Sequence, residues 1–117
     1  MPTVTPVFVS AQAQAQDIKR VDWTGIITGD TIVSFGVPAQ TGVAGSVQID
    51  GTFGGATVTL QVSNDNTTFF DLKDLGNTAI SATSAGYFEF TTAGIYLRPS
   101  VTSGSANSIN VKVSLRG

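Results

Sequence analysis

The chain has 117 residues, a net charge of −2, no cysteine and no histidine, and only 12% of its residues are charged against a typical ~25%. Such a length makes one domain, able to bury roughly two-thirds of its unfolded surface. The composition excludes a disulfide framework, thiolate metal sites and every arrangement built on a histidine base.

Other partners are disfavoured on similar grounds. The six basic residues are scattered apart from Lys19-Arg20, so the clustered positive field that nucleic acid requires is missing. No apolar run approaches the roughly 18 residues of a membrane-spanning helix. Polarity comes instead from 16 Thr and 11 Ser, residues suited to half-buried strands and to turns. Few like charges keep the molecules apart. This points to permanent assembly, with part of the surface never wet.

Residues 1–17 read as an extended N-terminal arm, distinct from a β-domain over 18–117. Val4, Val7, Phe8 and Val9 form an apolar patch that can pair at a sheet edge, where Pro6 is tolerated. Three Ala-Gln repeats follow, too strictly two-residue for a helical face, and they read as a spacer. VTPVFV with AQAQAQ has the outline of a signal peptide but lacks its basic n-region. Val4, Val7, Phe8, Val9, Gln12, Gln14 and Gln16 are the candidate interface residues, on an arm long enough to cross to a neighbouring subunit.

Lys19 to Ile27 is the first strand of the domain, with Val21 and Trp23 on one face. Gly29-Asp30 turns the chain, and Thr31 to Val37 reads as a strand on which Val33, Phe35 and Val37 alternate. The clearest alternation runs from Ser46 to Asp74. Val47, Ile49 and Phe53 share one parity, Gly54-Gly55 turns, and Val58, Leu60 and Val62 share the next. Ser63-Asn64-Asp65-Asn66 is a second turn, of side chains that bond their own backbone. Phe69, Phe70 and Leu72 resume the apolar pattern, and at least one of the two phenylalanines is expected in the core. These three segments read as an antiparallel meander with one wet and one dry face.

A weaker strand surrounds Ile80 and Ala82. Phe88 and Phe90 oppose Tyr87 and Glu89 on the next. Ile95, Leu97 and Val101 continue the dry face, and Ile109, Val111, Val113 and Leu115 make the last strand. Eight or nine short strands without a helix predict an all-β, antiparallel β-sandwich, jelly-roll-like, of undetermined strand order.

No motif carries chemistry. Asp50, Asp65, Asp71, Asp74 and Glu89 are the candidate carboxylates for paired acid–base work, and none sits in a distinctive motif. Most sit at strand ends or turns, where Asp is expected anyway. Asn64-Asp65-Asn66 offers oxygens to calcium without the spaced acidic series of a calcium loop. No enzyme activity, cofactor or metal is expected.

The segments GTFGGA, VTLQVSNDNTTFFDLKD and AGYFEFTTAGIYLRPSVT, within residues 46–115, resemble small β-rich bacteriophage virion proteins. The shared pattern is a Gly-Thr-Phe lead-in, a VTLQ strand, a Ser-Asn-Asp turn, an aromatic strand and a late YLRP strand. Asn66 departs from the glycine common in such turns, and Phe69 or Phe70 from a frequent tryptophan. The resemblance implies a capsid decoration (cement) protein on the surface of a phage head. Such a protein would be a homotrimer bridging subunits of the major capsid protein, with no catalytic residues to carry over. The alternatives are a carbohydrate-binding β-sandwich module and a tail or fibre component. Two or more coplanar aromatics facing solvent would favour the sugar binder.

Overall fold

The computed structural model describes residues 3–10, 18–36 and 43–116. All regular structure in them is β. In chain order the strands are β1 (Thr3–Val4), β2 (Val7–Ser10), β3 (Ile18–Ile26), β4 (Thr31–Ile32), β5 (Phe35–Gly36) and β6 (Val43–Thr52). There follow β7 (Thr57–Ser63), β8 (Phe70–Asp71), β9 (Ser81–Ala82), β10 (Gly86–Thr92), β11 (Tyr96–Thr102) and β12 (Ser108–Arg116).

Two five-stranded antiparallel sheets result. One has the order β10-β6-β12-β3-β2; the other runs β5-β11-β7-β8, with β9 also paired to β7. β1 and β4 form a separate parallel pair. Each sheet turns one parity of its strands into a single hydrophobic cluster. Trp23, Val47, Ile49, Val111 and Val113 come from the first sheet, and Val58, Leu60 and Leu97 from the second. Period-two alternation dictates this, because successive side chains point to opposite faces. Val62 and Phe88 pack against the cluster only half-buried, and Ile95 is exposed.

The expected meander is not what forms. β6 pairs with β10 and β12, β7 pairs with β11, and β6 and β7 lie in different sheets. Gly54-Gly55 is a turn between layers, closed by the Ala56 amide donating to the Phe53 carbonyl (2.9 Å). Local alternation is identical for a hairpin and for such an arch, so only the distant partners distinguish them. The second turn is of the expected kind, with β8 pairing back on β7 through Gln61↔Asp71 and Val62↔Phe70.

Two irregularities set the parity of the early strands. Opposite Asn110, β3 carries two residues, Thr24 and Gly25, between the pairs Trp23↔Val111 and Ile26↔Ile109. This bulge needs the positive φ of Gly25 (67°) and lets Trp23 and Ile26 both face the core. The strand expected over 31–37 is broken. Trp23 Nε1 donates to the Val33 carbonyl (2.8 Å), and the Val33 amide donates to the Val4 carbonyl (2.9 Å). With Val33 bound on both sides, Ile32 packs on the core and Val33 is exposed, the reverse of the expected parity, while Phe35 packs on the core as expected. Val37 lies outside the described residues.

The N-terminal segment also differs from a free arm. β1 and β2 hydrogen-bond to the chain's own β4 and β3, and Val4 packs on the core. Edge pairing of this apolar patch is therefore satisfied within the chain.

Candidate assembly surface

Of the expected interface residues, Val4 lies in the β1–β4 pair and is half-buried against the core. Val7 is 57% exposed on β2, the outermost strand of its sheet. Phe8 and Val9 take register positions opposite Val21 and Arg20. Gln12, Gln14 and Gln16 lie outside the described residues. Val7 is thus the member of the set whose exposed side chain the structure describes.

The outward face of the same sheet is polar and well satisfied. Arg20 donates to Asp22 through Nε (3.0 Å) and Nη2 (2.8 Å), a bidentate pair that raises the Arg20 pKa. Gln48 Nε2 (3.0 Å) and Asn110 Nδ2 (3.2 Å) donate to Asp50. The Gln48 bond is the main cause holding the Asp50 carboxyl below its usual range. Exposed apolar area lies instead at the margins. At the β10 margin Tyr87 is 60% and Leu75 66% exposed, and the two line a common groove with Glu89. The Leu75 amide donates to the Glu89 carbonyl (3.0 Å), which seats the 74–77 turn on the β10 edge. Sequence reading placed Tyr87 outward but had no means of bringing Leu75 beside it.

On the second sheet, Arg98 stacks over the Phe69 ring at 3.8 Å and donates through Nε to Gln61 Oε1 (3.1 Å). Burial lowers the Arg98 pKa. Phe70, one residue on, is exposed and lines a groove of about 450 Å³ with Val62, Ser63, Asp65 and Thr92. Neither phenylalanine enters the core, contrary to expectation. Leu72, reached after β8, fills that place, with its amide donating to the Leu60 carbonyl (2.9 Å).

The 63–68 loop beside this groove is held by side chains. Asp65 Oδ1 accepts from the Thr67 and Thr68 amides (2.9 Å each) and from the Ser63 hydroxyl (2.8 Å). Ser63 Oγ in turn accepts from the Asp65 and Asn66 amides (3.1 and 3.0 Å). The Thr68 and Thr67 amides hold the Asp65 carboxyl below its usual pKa. Because the folded value is depressed, this contribution is fully present above the ordinary carboxylate value of about 3.9 and is lost as pH falls through the folded one. Amide exchange should show this directly. Protection at Thr67 and Thr68 is expected to fall in acid, and Asp65→Ala should remove it at neutral pH while β6 and β12 stay protected. Unchanged protection in the variant would mean that the loop is held by other contacts.

No protein-family model matches the chain, and no curated protein does. Among solved structures it is similar to the SPBc2 prophage-derived protein YomS, with a TM-score of 0.61 and 11% identity over 84% of this chain and 94% of that one. Two weaker likenesses have TM-scores of 0.45 and 0.41. One is to Bacillus endospore appendages, described as disulfide-linked pili, at 16% identity over 97% of this chain and 88% of that one. The other is to Peruvianin-I, a cysteine peptidase from Thevetia peruviana latex, at 14% identity over 86% and 51%. The chain is an all-β protein of antiparallel sheets, and it shares its fold with a protein of prophage origin.

Proposed function

We propose that this chain is a structural virion protein: a decoration protein that binds the outside of a bacteriophage head and bridges its major capsid subunits as a homo-oligomer, in the simplest case a trimer. The reading is of a non-catalytic protein whose business is contact. The observation that carries it is the placement of exposed apolar side chains. Val7 and the Leu75–Tyr87 pair lie at the lateral margins of a sheet whose outward face is polar and internally bonded. Exposed apolar area at the margins fits subunits meeting side by side.

Two further observations support it. The strand order β10-β6-β12-β3 with β5-β11-β7-β8 fits a jelly roll, in which consecutive strands pass from sheet to sheet except at the β7–β8 hairpin. The fold is also shared with a prophage-derived protein. The sugar-binding alternative draws no such support. Trp23 and Phe90 are buried, Phe69 is capped by Arg98, and the exposed Phe70 and Tyr87 line separate grooves.

The test is to weigh intact particles of the virus that encodes the chain, with and without its gene. Particles with the gene should be heavier by whole sets of subunits and should withstand heating better. Equal masses would rule out the decoration role.

A further inference from the structure

We propose that copies of this chain join head to tail through the two margins of the β10-β6-β12-β3-β2 sheet, the Tyr87–Leu75 margin of one copy meeting the Val7 margin of the next. This rests on the reading of the chain as an assembling structural protein and specifies how it would assemble.

The first argument is charge. Four of the six basic residues, Lys19, Arg20, Lys112 and Arg116, fall on β3 and β12, against one acid, Asp22. β6 and β10 carry Asp50 and Glu89 and no base. Asp74, in the turn seated on β10, adds to the same side and its neighbour Lys73 offsets it, which leaves Asp50 and Glu89 as the net charge there. The sheet is therefore positive towards β2 and negative towards β10. Two copies meeting β2 to β2, or β10 to β10, bring like charges together, whereas β10 to β2 brings opposite ones.

The second argument is register. Val7, Asp22, Lys112, Gln48 and Tyr87 form one transverse row across the sheet, so its two exposed apolar ends stand at the same level. The neighbouring row, from Val9 through Arg20, Ser114 and Ser46, ends on Glu89. A copy added at the margin thus brings Val7 to Tyr87 and Leu75 and sets the row of Val9 and Arg20 level with Glu89. Like-to-like pairing aligns neither set.

The third argument concerns the edges. Among the described residues no strand pairs with the outer side of β2, whereas the β10 edge is occupied at Glu89 by the Leu75 amide. Contact at β10 is therefore through side chains, not a continued ladder. Neighbouring strands are rotated by about 20–25° each, so added copies turn progressively, giving a closed ring or a helix rather than a flat tape.

Sedimentation of the full chain tests this with two variants that each block one margin, Val7→Lys and Tyr87→Lys. The wild type should associate at micromolar concentration, and high salt should weaken it as the charges are screened. Each variant alone should be monomeric, with its dissociation constant raised at least about tenfold, while unfolding cooperatively like the wild type. Mixed, the two should form a one-to-one dimer and nothing larger, since each retains the margin the other lacks. A Tyr87→Lys variant that still self-associates would overturn the proposal in favour of β2–β2 pairing. A wild type that stays monomeric would overturn self-assembly altogether, while the particle masses decide separately whether the chain decorates a head.

Discussion

Replacing Trp23 by alanine should cost about 3–5 kcal/mol, the range for emptying a large aromatic site. Trp23 is fully buried, and its side chain is the largest among the fully buried ones. It also donates from Nε1 to the Val33 carbonyl at 2.8 Å. Removing it leaves both a cavity and a carbonyl without its donor. Against a total stability of roughly 5–15 kcal/mol, such a loss is large enough to unfold much of the population on mild warming. Trp23→Phe should cost less, because it keeps most of the apolar volume and loses mainly the hydrogen bond. Denaturant titration of both variants decides the matter. A loss below about 1 kcal/mol for the alanine variant would mean that Trp23 is not the anchor the packing indicates.

Gly54→Ala should be nearly as damaging, though it adds only one methyl group. A Cβ at Gly54 would lie 2.0 Å from the Ser105 carbonyl oxygen, which is backbone and cannot rotate away. The Ser105 amide donates to the Gly54 carbonyl (3.0 Å), so the turn between β6 and β7 is clamped to the loop before β12. The residue also sits at φ 55°. The left-handed conformation costs an alanine about 1–2 kcal/mol, and overpacking adds about 1–3. Gly55→Ala is the control, at φ 87° with nothing nearer than 3.6 Å. It should carry the conformational cost alone. Equal thermal stability of the two variants would show that the clash at Gly54 relaxes away.

What could be read from the sequence follows from how local each signal is. The inward faces of β6, β7, β10 and β12 were legible because Val47, Leu60, Phe90 and Val111 obey a period of two that needs no knowledge of partners. The loop at Asp65 was legible because Ser and Asp bond amides two and three residues away. The break at Val33 was not, since it depends on a tryptophan ten residues earlier reaching its carbonyl. Nor was the bulge at Gly25, which exists only opposite Asn110. The assembly surface was least legible. Val7 stands out in the sequence through its apolar neighbours Val4, Phe8 and Val9. Tyr87, Leu75 and the separation of charge become a surface only once four strand pairings are known.

The position of β12 governs how this chain comes into being. It lies between β6 and β3, the heart of its sheet, yet it follows every other described strand in chain order. Until Ser108–Arg116 emerges, β3 and β6 lack the strand that joins them, and one edge of each is unpaired. Folding must then close the long loop from Ile26 to Ser108 before that contact repays its entropy, which makes it slow. The chain would thus pass through a sticky, unfinished stage during every synthesis. The sparse charge of the sequence, 12% of residues, offers such a nascent chain little protection from its neighbours.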